Sequence, residues 1–124
     1  MKYMTIVKAS ESFEAGGPPT ELFAGIDQLR VDAEKEGVFV FFGGLGPTSQ
    51  GSSIKLAKGK ITVTDGPFAE AKEVVGGFAV YDTKTKEEAV KWAVRFVELH
   101  QKHWPGFDCE VEVRELMNFE GPGL

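Results

Sequence analysis

The residues best suited to chemistry are gathered in one short segment, TDGPFAEAKEVVGGF, residues 64–78. Asp65, Glu70, Lys72 and Glu73 bring both signs of charge next to the ring of Phe68. Asp65-Gly66-Pro67 is turn chemistry: Asp bonds backbone amides two residues on, Gly tolerates unusual φ, and Pro fixes its own φ. Phe68 then projects from a rigid turn, and AEAKE offers a short helical turn. In a ligand site Asp65, Glu70, Lys72 and Glu73 would be the polar groups, with Phe68 and Tyr81 as walls. Asp65 or Glu70 would be the acid or base of any catalysis. The structural alternative has Asp65 capping the turn, Phe68 plugging the core and the charges solvated.

Other chemistry is sparse. His100 and His103 are three apart near a helix end, a spacing that can place both rings on one side, but zinc needs more ligands than these two supply. Cys109 falls in phase with the apolar face of its strand and reads as a buried, inert thiol. The glycines of GGLGP (43–47) and of Gly76-Gly77 lack the spacing of phosphate-binding loops, so bends or close packing explain them. No nucleophile elbow is visible. Neither a metal nor a cofactor is expected.

The elements that must position these residues follow from periodicity. KYMTIVKA, residues 2–9, reads as a central strand, and SESFEAGGPP after it as a loop ending at Thr20, a candidate N-cap. From Glu21 to Glu36, Leu22, Ile26, Leu29 and Ala33 recur at helical spacing, with Gly37 placed as the C-cap glycine. VFVFF is a buried strand. Residues 53–57 and 60–64 form a hairpin around Lys58-Gly59. Phe78 to Asp82 is a strand, and Thr85 with Glu88 is the capping box of a helix that runs to about His103, with Ala89, Trp92, Ala93, Phe96 and Leu99 on its apolar stripe. Pro105-Gly106 ends it, and DCEVEVREL alternates as a last strand with one buried face.

This order is the split βαβ pattern of a ferredoxin-like α+β sandwich, βαβ, hairpin insertion, βαβ, with both helices on one face of an antiparallel sheet. The opposite face then needs a cover. Phe41, Phe42, Phe78 and Tyr81 would supply an apolar surface there that two subunits could bury against each other.

The chain has 124 residues, near the usual size of one domain, and 42% hydrophobic with 27% charged residues is globular composition. A single domain over residues 1–124 is expected, with 118–124 a loose tail. A net charge of -5 without basic clusters disfavours nucleic acid and anionic membranes as partners. The longest apolar run, Val38 to Phe42, is far short of a bilayer span. One cysteine agrees with a reducing compartment, and a cytoplasmic protein is the simplest reading.

TDGPFAEAKE followed by GGF resembles the signature of the YCII-related family, in the branch called DGPF-domain proteins after Asp65, Gly66, Pro67 and Phe68. The likeness extends through KYMTIVKA, EGVF, the KGKITVTDGPF hairpin, KEEAVKWA and EVEVREL. It implies a dimeric α/β barrel in which the sheets of two ferredoxin-like subunits face each other. Relatives in the wider group carry a His and Asp pair proposed as catalytic, whereas the first helix here has no histidine. Members of the branch commonly have an acidic residue where this chain reads Gly43-Gly44-Leu45. Their genes often neighbour sigma-factor genes. Two functions therefore stand: a homodimer that binds or transforms a small molecule between sheet and helices or at the dimer interface, and a non-catalytic dimeric interaction module linked to transcription regulation.

Overall fold

A computed structural model describes residues 1–10, 18–68 and 73–117. The expected tail 118–124, most of the 10–19 loop, and Glu70 and Lys72 lie outside the described residues. The elements are β1 (Lys2–Ala9), α1 (Thr20–Lys35), β2 (Phe39–Gly44), a 3-10 turn (Thr48–Gln50), β3 (Ser52–Ala57), β4 (Lys60–Asp65), β5 (Val74–Asp82), α2 (Lys86–His103) and β6 (Cys109–Glu115). β2, β5, β1 and β6 form one antiparallel sheet in that order, and β3 and β4 a separate two-stranded one. This is the ferredoxin-like α+β arrangement expected from the sequence. Among the described residues, no helix is long and apolar enough to cross a membrane.

Both helices lie on one side of the sheet because each has one apolar stripe to bury. Leu22, Leu29 and Ala33 of α1 and Ala89, Trp92 and Ala93 of α2 are buried. Tyr81 stacks on Trp92 with centroids 5.8 Å apart, and Leu29 and Ala33 complete the core cluster. The helices approach closely at Gly25, where a β-carbon would meet Leu99 at 2.8 Å. They are also tied by Arg95 to Asp32 at 2.6 Å.

The caps follow local chemistry at three helix ends and depart from it at one. Thr85 Oγ1 accepts from the Glu88 amide at 3.2 Å, as the capping box requires. Gly37 follows α1 with φ +73. At the start of α1, however, the N-cap position is Pro19 without a side-chain bond, and Thr20 is already helical. Pro105-Gly106 closes α2 as a type II turn, with Gly106 at φ +88 and the Phe107 amide donating to the Trp104 carbonyl.

A bulge in β2 alters which aromatics share a face. Phe39 pairs with Tyr81 but Phe41 pairs with Val80, so Val40 is an extra residue and the alternation shifts by one. Phe42 therefore joins Phe39 and Tyr81 on the helix side, with the Phe39 and Phe42 rings 5.6 Å apart. Of the four aromatics expected on the open face, only Phe41 and Phe78 are there, and their rings are 5.7 Å apart.

Candidate functional site

The TDGPF segment folds into the joint between the hairpin and the domain. Asp65, the last residue of β4, accepts a hydrogen bond from Ser52 Oγ at 2.8 Å and so closes the base of the hairpin opposite the first residue of β3. The Gly66 amide donates to the Gly51 carbonyl at 2.8 Å, and the Gly66-Pro67 peptide is cis. A β-carbon at Gly66 would overlap the carbonyl oxygen of Thr48, so only glycine fits there. The Phe68 amide donates to Thr48 Oγ1 at 3.3 Å, and its half-buried ring lies over Gly51. The motif thus locks the hairpin base onto the 3-10 turn.

A cavity lies elsewhere, between the sheet and the helices. The register explains it. On the helix-facing side the first cross-strand row is Tyr3, Tyr81 and Phe39, which fills the core; the next is Thr5, Ala79 and Phe42; the third is Val7, Gly77 and Gly44. Side-chain volume tapers along the inner face of the sheet, and about 650 Å³ is left open there. Leu22, Ile26 and Leu29 of α1 line it on one side, and Phe96, His100, Trp104 and Phe107 on another. A β-carbon at Gly44 would meet nothing within 4 Å, whereas one at Gly77 would press on the Gly43 carbonyl at 3.0 Å.

His100 is the buried polar ring of this cavity, at 7% exposure. It is held on three sides: Phe96 at 4.6 Å, Phe107 at 5.8 Å, and its own helix through Nδ1, 3.0 Å from the Phe96 carbonyl oxygen. A carbonyl only accepts, so Nδ1 carries a proton. Trp104 and Phe107 stack 4.0 Å apart beside it, brought together by the Pro105-Gly106 turn. Among the described residues, the wall's polar side chains also include Thr5, whose Oγ1 donates to the Ala79 carbonyl at 3.4 Å, Ser10, and Arg30, whose guanidinium bonds Asp27 and Glu34 on the outer surface. Burial pushes the Tyr81 hydroxyl pKa up, with Arg95 opposing, so the phenol is a neutral donor.

Of the residues singled out from the sequence, Tyr81 lines the cavity. Asp65 and Phe68 sit together at the hairpin base, and Glu73 is exposed just before β5. His100, set aside in the sequence as one of two helix-end histidines, is a buried polar residue of the cavity wall. Its spacing was the available signal: Ala89, Ala93, Phe96 and His100 continue one helical stripe. Cys109 shares the helix-facing side with Val111 and Val113, and burial and then Asp108 raise its thiol pKa, in line with an inert residue. Among the described residues, no three His, Cys, Asp or Glu side chains converge as a metal site would require.

No curated protein matches the chain. A family model for the YCII-related domain matches residues 1–116, nearly the whole length, and the chain belongs to the YCII-related domain family.

Proposed function

We propose that this protein binds or transforms a small molecule in the cavity between the sheet and the helices, and that it does so as a homodimer. The observation that carries the binding reading is the tapered inner face. Protein interiors leave few voids larger than a water molecule, whereas here the Val7, Gly77, Gly44 row leaves about 650 Å³ behind a wall of aromatics and one buried histidine. That size, apolar lining and sparse polar content are those of a ligand pocket. Asp65 and Phe68 take an architectural role in this reading, at the hairpin base.

Thermal-shift screening against a library of small aromatic and aliphatic compounds tests it, run on the wild type and on Gly44→Leu. The leucine enters open space, so its stability should stay near wild type. Compounds that stabilise the wild type and lose their effect in the variant place binding in the cavity. Compounds that act equally on both place it elsewhere.

The homodimer reading rests on two uncovered surfaces. Ile54, Leu56, Ile61 and Val63 share one face of the β3–β4 hairpin and are each 64–71% exposed. The open side of the sheet carries Phe41, which is 55% exposed, and the half-buried Met4, Ile6 and Phe78 around the buried Val80. Patches of this extent mark interaction surfaces on a soluble protein. Charge favours a second copy as the occupant, because the hairpin carries Lys55, Lys58 and Lys60 against Asp65 alone on a chain with 14 basic and 19 acidic residues.

A further inference from the structure

The β3–β4 hairpin and the free edge of the sheet match in pattern, length and charge, an inference that rests on the homodimer reading above. β6 is the last strand of the order β2, β5, β1, β6, so among the described residues its outer edge pairs with no strand. Beside that edge an apolar groove runs between β6 and α2, lined by Val111 and Val113 from the strand and Val90, Val94 and Val97 from the helix. Val90 and Val94 are exposed there. A free strand edge next to an apolar stripe is where a further strand adds, through backbone hydrogen bonds and alternate side chains.

The hairpin alternates as such a strand must. Ile54, Leu56, Ile61 and Val63 share one face, and Lys55, Lys60 and Thr62 the other. Laid against β6, the apolar set would continue the helix-facing side and cover the valines, while the lysines would continue the open side, where β6 shows Glu110 and Glu112. Lys8 is shared between those two carboxylates, 3.7 and 3.5 Å from them. The lengths agree, with six residues in each of β3 and β4 and seven in β6. Charge also sets the direction. The chain turns back directly from the end of α2 into β6, so Glu98 and Glu110 mark one end of the groove, and Lys86 and Arg114, which is 3.9 Å from Glu112, mark the other. The hairpin is basic at its tip, with Lys55, Lys58 and Lys60, and acidic at its base, with Asp65. Tip to acidic end and base to basic end is the direction that pairs both. Because the hairpin joins β2 to β5, and β2 is the edge opposite β6, the arm that meets β6 comes from a second copy.

We propose that in the homodimer each copy lays its hairpin along the β6 edge of the other, with Ile54, Leu56, Ile61 and Val63 on the valine groove and Lys55 and Lys60 at Glu110 and Glu112. Charge reversal in two separate chains tests it, by sedimentation velocity on the purified full-length protein. Lys55→Glu with Lys60→Glu in one chain, and Glu98→Lys with Glu110→Lys in the other, should each weaken dimerisation at least about tenfold, because both reciprocal contacts become repulsive. Mixed in equal amounts, the two should recover the dimer, since each hairpin then meets an edge of opposite charge. All four residues are exposed, so both chains should keep the wild-type circular dichroism spectrum. Val94→Asp, which puts a charge in the groove without touching the hairpin, should also yield monomer. Variants that dimerise as tightly as a dimeric wild type would overturn the proposal, leaving the homodimer to the open sheet face and the groove to another partner. Weakened variants whose mixture does not recover would show that hairpin and edge do not meet, and overturn it as well. A monomeric wild type would overturn the homodimer reading together with this contact.

Discussion

Single residues in this protein divide into those that close a joint and those that line a space, and the two groups respond differently to substitution. Gly66→Ala should destabilise by about 1–3 kcal/mol or more, because its new methyl group overlaps the Thr48 carbonyl and neither backbone can yield easily. Phe68→Ala should cost less than removal of a core ring, about 1–2 kcal/mol, since that ring is only half-buried. Urea denaturation of the two variants gives the order directly. Cys109 makes a chemical prediction. Burial raises its thiol pKa, and Asp108 adds to the shift, so near neutral pH the thiolate is scarcer in the fold than in the open chain. Iodoacetamide should therefore modify native protein much more slowly than protein in urea; equal rates would show that the strand does not shelter the thiol.

At the level of elements, the two helices are joined by a contact whose strength depends on pH. The hydrogen bond from Arg95, and after it that from Gln28, holds the Asp32 carboxyl below its ordinary pKa. A carboxyl lowered in the fold adds stability above the unfolded carboxylate range, about 3.9 for Asp, and loses it as pH falls through the folded value. Asp32→Asn should thus lower the melting temperature slightly at pH 7, and the gap from wild type should close in acid. The effect is small because the pair is solvent-exposed and screened. A gap that stays constant from pH 7 to pH 2 would mean that Asp32 acts through packing instead. Arg95 also lies over the Trp92 ring at 4.8 Å, so Arg95→Gln should lose more than Asp32→Asn.

For the whole molecule, the hairpin is the element most in need of a partner. Two strands alone are marginal in water, and every residue of β3 and β4 is exposed. The Lys58-Gly59 turn, with φ +52 and +76, gives the hairpin its shape but no cover. If a second copy covers it, wild type should sediment as a dimer at micromolar concentration, and Leu56→Asp with Ile61→Asp should shift it to monomer without loss of the four-stranded sheet by circular dichroism. Added salt should weaken the dimer if the basic hairpin meets an acidic partner surface. A monomeric wild type would refute this assembly.

Much of this architecture was legible in the sequence, because its signals are local. Helical spacing at Leu22, Leu29 and Ala33, the Thr85 capping box, the Lys58-Gly59 turn and the alternation in β6 each depend on residues a few positions apart. Together with the DGPF motif they determined the element order, the ferredoxin-like class and the family. The site depended on distances that no local pattern encodes. One extra residue in β2 moved Phe42 to the inner face, and the pairing of three strands placed Val7, Gly77 and Gly44 in one row. A cavity is a shortfall of volume among residues far apart in the chain, so only the tertiary structure could reveal it. The same holds for His100, whose position at a helix end was plain in the sequence but whose enclosure by Phe96 and Phe107 depends on how the chain turns back after α2.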